Sequence, residues 1–479
     1  MVAEPKTLIE EEEIRQMEAL FEAQRTAFAA DPMPEANRRR EHLKRLSDVL
    51  VANKERLAEA ISDDFGNRSR HETYAELLGS IQGIHYARRH VRRWMRPSRR
   101  RAGLLLATTS CKVVYQPKGV VGVIVPFNYP LVLSIGPLAC ALAAGNRVIL
   151  KMSEETPRIG QVLRQVLASV FDDEQVAVVL GEVEVGKAFS RLPFDHMLFT
   201  GSTEVVRHIM RAAADNLTPV TLELGGKSPT LIGNDVPMSM AAERICFGKA
   251  LNSGQSCVAP DYVLCPAGRV DEFVAAMSVT FRNMYPQLHE NVDYTCVIND
   301  RHFKRLADHL DDARSRGAQV IELSSDGGGA SAETRKMPLY LIKGATSEMT
   351  VMQEEIFGPL LPIITYDNLD EALRFINDRP RPLALNLFET DAARRNHIIE
   401  ATHSGGVCVN DAITHFLAED LPFGGVGDSG MGHYHAREGF LTFSHHKAVL
   451  SRPRINTARV LYAPHGGWLQ NLLYRLFLR

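Results

Sequence analysis

Between Lys118 and Arg147 the chain carries no charged side chain. A run of that length must leave water, either in a bilayer or in a protein core. Pro126, Asn128, Pro130, Pro137 and four glycines interrupt it. A membrane-spanning helix would be left with broken backbone hydrogen bonding at those points. The run therefore reads as a buried strand, a loop and a helix. A chain of 479 residues, 45 % hydrophobic and 23 % charged, can bury two or three such cores.

Helical spacing places one helix over Ile14 to Phe28, stopped by Asp31-Pro32-Met33-Pro34. A second runs through Leu43, Leu46, Leu50, Leu57 and Ile61, and a third from about Glu72 to Met95. Lys112–Gln116 and Val120–Val125, around Pro117-Lys118-Gly119, read as a β-hairpin. Short apolar strands then alternate with helices: Arg147–Leu150, a helix with proline at its first position from Thr156-Pro157, Val176–Leu180, and His196–Thr200 followed by a helix to about Ala214. A second alternating region spans about Val220 to Asn410. The fold class is α/β with a doubly wound, largely parallel sheet.

Cys257 closes the run Asn252-Ser253-Gly254-Gln255-Ser256, where small neighbours leave a thiol approachable. Glu223 stands before Leu224-Gly225-Gly226, so a strand-end carboxylate can reach water. A soft nucleophile with a separate base can form an acyl-enzyme and hydrolyse it. Asn128, between Pro126 and Pro130, offers a neutral amide donor on a restricted backbone, which suits an oxyanion hole. Thr200-Gly201-Ser202 is a strand-to-helix turn, either an ordinary one or one that aims free N–H groups at a phosphate. Lys151 and Glu154, past another strand end, could clasp ribose hydroxyls or form a first-turn ion pair. Glu355 and Phe357, in Gln353-Glu354-Glu355-Ile356-Phe357-Gly358-Pro359, sit on a rigid turn presenting one carboxylate and one ring.

At these residues the chain resembles the NAD(P)-dependent aldehyde dehydrogenase superfamily, over about Leu43 to Val449. Val258–Val263, Val409-Asn410-Asp411 and Leu421–Gly430 resemble its class 3-like branch. The segment Ala412–Asp420 resembles the coniferyl aldehyde dehydrogenases within it. The resemblance implies a Rossmann-type cofactor domain (1–110 and 126–222), an α/β catalytic domain (223–425), a small β oligomerisation element (111–125 and 426–460) and a C-terminal tail (461–479). It implies Cys257 as nucleophile, Glu223 as base and Asn128 as oxyanion donor, the Cys257 N–H being the second donor. Lys151, Glu154, Gly201, Ser202, Glu355 and Phe357 would bind NAD, with NADP also accepted in this branch. Two positions depart from the family: Val206 replaces its second turn glycine, and Met152 a proline. The implied substrate is an aldehyde, aromatic or aliphatic. A CoA-acylating enzyme, a thiol esterase and a non-catalytic relative are the alternatives, and a homodimer is the implied assembly.

The remaining features narrow the class further. A net charge of −2 argues against nucleic acid as partner. Seven cysteines without a C-x-x-C pair read as reduced thiols of a cytoplasmic protein. Met1–Gln16 shows no signal-peptide pattern. The eight arginines from Arg88 to Arg101 read as a solvated helix end and its loop. His433, His435, His445 and His446 lack the carboxylate or thiol that would complete a metal site. In the tail, Leu469, Leu472, Leu473 and Leu476 form an apolar stripe too short to span a bilayer. It is expected to pack on its own or a neighbouring subunit, or to cover a substrate tunnel, rather than to bind a membrane.

Overall fold

The uncharged segment folds into the strand Val120–Ile124, a turn through Pro126–Pro130 and the helix Val132–Ala144. Most of it lies in the interior, in one cluster with the helices that cover it. The computed structural model describes residues 5–103, 106, 108–454 and 456–478; residues 1–4 of the N-terminus and Arg479 of the tail lie outside them. A buried arginine closes the uncharged helix. Arg39 donates to the carbonyls of Ala143 (3.1 Å) and Ala144 (2.5 Å), which have no partner inside the helix.

Among the described residues the strands form three sheets. The first runs in the order Gly430–Met431, Val220–Leu224, His196–Gly201, Val120–Ile124, Arg147–Lys151, Val176–Val179 and is parallel except at Gly430–Met431. The second has seven strands in the order Gln319–Glu322, Tyr340–Lys343, Leu360–Tyr366, Tyr262–Pro266, Pro229–Ile232, Ala384–Phe388, Gly406–Val409; only the first of these is antiparallel. The third is antiparallel and joins Ser98–Arg100, Ser110–Pro117 and Ser444–Ser451.

The expected hairpin does not form. Ser110–Pro117 pairs with Ser98–Arg100 and Ser444–Ser451, while Val120–Ile124 pairs in parallel with Arg147–Lys151 and His196–Gly201 in the first sheet. The chain changes sheets at Gly119, which sits at φ +146°, where an added Cβ would run into Asp195. Asp195 also accepts the Val120 N–H at 2.8 Å, and Asn146 accepts the Gly119 N–H at 2.9 Å. These two long-range acceptors take the bonds a hairpin turn would have used.

Strand pairing moves the expected domain limits as well. Residues 120–124 leave the expected oligomerisation element for the first sheet, and the limit at 222/223 falls inside the strand Val220–Leu224. Residues 426–460 divide between Gly430–Met431 in the first sheet and Ser444–Ser451 in the third. The expected second helix is two, Ala36–Ala52 and Lys54–Phe65, divided at Asn53 with φ −109° and ψ 15°. The helices Pro5–Ala30 and Arg70–Trp94 agree with the periodicity. Among the described residues no helix is long and apolar enough to cross a membrane.

Candidate active site

In a parallel sheet, ligands collect beyond the carboxyl ends of the strands, where the strand order reverses. Here Val120–Ile124 leads outward to Arg147–Lys151, and the chain later returns to its other side as His196–Gly201. A cavity of about 1040 Å³ opens at that point. Asn128, Lys151, Glu154, Gly201, Ser202, Glu223, Cys257, Glu355 and Phe357 all line it. Nine residues spread over more than two hundred positions thus meet in one place.

Cys257 is half-buried and lines the cavity. Removal from water pushes its thiol up to about 12, and the carboxylates of Glu355 and Glu223 add to the shift. The loop before it is unusual: Asn252 and Ser253 both adopt left-handed backbone (φ 49° and 54°), followed by Gly254 at φ 72°. A side chain at Gly254 would overlap the Gly358 carbonyl. Such strain persists where the surroundings overdetermine it. Here Asn252 Nδ2 donates to the carbonyls of Asn128 (2.9 Å) and Gln255 (3.2 Å). Gln255 Nε2 donates to Asn252 and Cys296, and its Oε1 accepts the Ile298 N–H.

Glu223 lies on the strand Val220–Leu224 and is 3 % exposed. Neither of its carboxyl oxygens has a hydrogen-bond partner. Burial alone drives its carboxyl well above the usual carboxylate range. Asn128 is 2 % exposed, and its Nδ2 donates to the Gln255 carbonyl at 3.2 Å. The amide that would hold an oxyanion therefore already points at the nucleophile's loop.

Glu355 rests against Gly225, where a Cβ would overlap its carboxylate. It accepts the Gly226 N–H, and burial together with Asp261 raises it to about 8; Oε1 is left without a partner. Lys227 fixes this turn by pairing with Asp261 and donating to the carbonyls of Val351 and Glu354 at 2.8 Å each. Phe357 sits at φ 47° and meets Phe127 edge-on, 5.7 Å between ring centroids. Lys151 Nζ donates to Met152 and Gly181 (2.7 and 2.8 Å), leaving one donor for a ligand. Ser202 caps the helix Thr203–Asp215, accepting the Val205 N–H at 3.3 Å. Val205 lines the cavity, while Val206 is buried in the apolar cluster beneath that helix. The departure from a glycine there fills core rather than the cavity.

The cavity's size, the capped helix start, the orphaned Glu355 oxygen and the glycine cradle fit a dinucleotide across the strand ends. Sequence reasoning missed the supports. Arg68 is buried, donates to the Asn128 carbonyl at 3.2 Å, and pairs with Glu76 (3.0 Å) and Glu72 (3.9 Å). Glu76 accepts the N–H groups of Leu131 and Val132, and Glu72 those of Asn252 and the Thr295 hydroxyl. The signal available was two acids one turn apart on a helix face otherwise apolar. Arg301 and Asn299 both bond Glu155 at 2.6 Å, joining the second region to the cavity's rim.

A doubly wound sheet with a dinucleotide-sized cleft, facing a thiol on the loop that precedes the second sheet's strand Tyr262–Pro266, has the plan of a dehydrogenase. The chain belongs to the aldehyde dehydrogenase family, whose sequence pattern matches residues 6–449. It is 56 % identical to a probable coniferyl aldehyde dehydrogenase of Pseudomonas aeruginosa, over 98 % of each chain. The solved structure of Staphylococcus aureus AldH in its substrate-bound state superposes with a TM-score of 0.91 at 36 % identity, covering 97 % of this chain and 99 % of that one. An aldehyde dehydrogenase of Mycobacterium tuberculosis complexed with NAD+ superposes at 0.80 with 29 % identity, covering 89 % and 88 %. The protein is an oxidoreductase that acts on aldehydes.

Proposed function

We propose that the enzyme oxidises an aromatic, coniferyl aldehyde-like substrate to its carboxylic acid with NAD. The observation that carries this reading is the meeting of the thiol, the unpartnered Glu223 carboxyl and the ribose-side groups in one cavity. The substrate class draws on the Pseudomonas aeruginosa relative, and the cofactor on the NAD+ complex of the Mycobacterium tuberculosis neighbour. Glu154 favours free ribose hydroxyls over a 2′-phosphate, which it would repel.

The Cys257 thiol gives its proton to solvent, and the thiolate attacks the aldehyde carbon. Asn128 Nδ2 and the Cys257 N–H hold the resulting alkoxide. Lys151, Glu154 and Glu355 would hold the ribose groups of NAD, which when bound would supply the hydride acceptor that lets the thiohemiacetal become a thioester. Ionised Glu223 then takes a proton from water, which attacks the thioester and releases the acid. We further infer a cytoplasmic homodimer, which the seven free cysteines and the exposed edge strand Ser444–Ser451 support.

Reduced-cofactor absorbance tests the reading. Coniferyl aldehyde and a saturated aliphatic aldehyde are each supplied with NAD or NADP, with and without CoA. Turnover is expected to be highest with the aryl aldehyde and NAD, with no need for CoA. A strict CoA requirement, or a preference for the aliphatic aldehyde, would overturn it.

A further inference from the structure

A second, much smaller cavity of about 30 Å³ lies where the helices Arg70–Trp94 and Val132–Ala144 meet the segment 414–420. Phe416 and Tyr434 give it aromatic walls. Two helix-interior glycines open it. A Cβ at Gly83 would come within 2.8 to 3.0 Å of the Glu419 carboxyl, and one at Gly136 would touch the Tyr434 ring at 3.6 Å. Glycine inside a helix costs about 1 kcal/mol relative to alanine, so close approach is the physical return for keeping it.

Two polar groups lining this cavity are under-used. No hydrogen bond reaches the Glu419 carboxyl among the described residues, and burial raises it to about 7. His435 is 7 % exposed with its Nδ1 unpartnered, and burial lowers its ring to about 4, so it stays neutral. His435 also sits at φ 95°, a strained backbone for a side chain of its size, stacked on Phe423 at 5.2 Å.

The cavity borders the helix that follows the Asn128 turn. Val132, Gly136 and Ala139 line it along a helix that begins just after Asn128. It therefore lies one to two helical turns, roughly 5–11 Å, from the oxyanion side of the site. Tyr434 spans the same gap: burial raises its hydroxyl, and its nearness to Glu223 and Cys257 on one side and to Cys140 and Glu419 on the other adds to that.

We propose that Glu419 is a specificity-determining residue whose carboxylate accepts a hydrogen bond from the ring hydroxyl of an aryl aldehyde held at Cys257, with His435 as the neutral second partner of that hydroxyl. The proposal rests on the aromatic substrate reading above and adds to it a requirement at the far end of the ring. A cavity this small admits a hydroxyl-sized group and little more. An unmade bond to a half-buried carboxylate disfavours a ring that lacks the donor.

The test compares 4-hydroxycinnamaldehyde with cinnamaldehyde in the wild type, in Glu419→Leu and in the closer-fitting Glu419→Gln. The hydroxylated-to-plain ratio of kcat/KM is expected to fall roughly 10- to 100-fold in Glu419→Leu, with cinnamaldehyde changed less than about threefold. Glu419→Gln should fall between. Equal losses on both substrates would assign Glu419 to the fold, and an unchanged ratio would remove it from recognition; either overturns the proposal. Calorimetry on the wild type supplies a readout free of folding effects. 4-Hydroxycinnamate should bind at least about tenfold tighter than cinnamate, and equal affinities would also overturn it. If the wild type turned over neither aldehyde, the aromatic reading would fail by itself, and the two acids would still decide the role of Glu419.

Discussion

Two carboxyl groups and one thiol share a cavity in which each is disfavoured as an ion. Cys257→Ala removes the nucleophile while leaving this field intact, and turnover should drop by about a thousandfold or more in a steady-state assay. Glu223 gives a sharper test, because its folded carboxyl is raised by burial alone. Below the raised value it is protonated and cannot serve as base; above it, it can. Deacylation-limited turnover should therefore climb as pH rises through and beyond neutrality. Glu223→Gln should abolish that climb and leave a burst of reduced cofactor followed by slow turnover. A steady state lost together with the burst would move Glu223 to an earlier step. Stability follows the opposite sign. A raised folded carboxyl favours the fold at low pH and penalises it at high pH, so the glutamine variant should melt higher than wild type near pH 9 and no differently near pH 5. These residues were legible in the sequence because the chemistry restricts side chains to a few types in small-residue loops. Arg68 was not, because an arginine one and two turns before two acids reads locally as an ordinary ion pair at a helix start.

The loop and turns that carry the site are held by neighbours rather than by their own propensities. Gly225 shows this most simply, since its missing Cβ is where the Glu355 carboxylate lies. Gly225→Ala should displace that carboxylate and raise KM for NAD about tenfold or more, with a smaller change in KM for the aldehyde. Steady-state kinetics with each substrate varied in turn checks this. Arg68 ties three segments: its own helix start, the Asn128 turn and, through Glu72, the Asn252 loop. Arg68→Met leaves Glu72 and Glu76 buried without their cation, at a cost of roughly 3–5 kcal/mol. Thermal melts should show the fall, and kcat should drop more than KM because the oxyanion turn loosens. Element type was readable from periodicity almost everywhere, down to the proline at the start of Pro157–Ala168. Sheet membership was not. Two β-rich runs around Pro117-Lys118-Gly119 look like a hairpin locally, and only the distant Asp195 and Asn146 send them into different sheets.

At the level of the molecule, the tail is the element least accounted for by the rest. The helix Trp468–Phe477 buries only Gln470, while Leu469, Leu472 and Leu476 are exposed and its nearest partner is the turn Thr457–Leu461. The expected packing on its own subunit is therefore absent among the described residues, and the tail lines neither the large cavity nor the small one. The homodimer inferred above would supply a cover for this uncharged stripe. Deleting residues 466–479 should lower the mass found by light scattering or the melting temperature, with kcat retained. If the full chain pelleted with liposomes and the shortened one did not, the stripe would instead belong at a membrane surface. The overall α/β plan was readable because alternating strands and helices leave few topologies open. The limits between sheets were not, since Val220–Leu224 and Gly430–Met431 pair across more than two hundred residues.

The same burial that delays Cys257 until it is needed has a practical side. Alkylating agents and peroxide consume thiolates, not thiols, and a sulfur held near 12 presents almost none. Five of the other six cysteines are sealed inside, with only Cys111 partly open. The resting enzyme should thus tolerate air and iodoacetamide far better than cysteine proteases do. Reagent uptake that stops activity should report a single sulfur per chain, which would make slow covalent labelling a direct count of competent sites in any preparation.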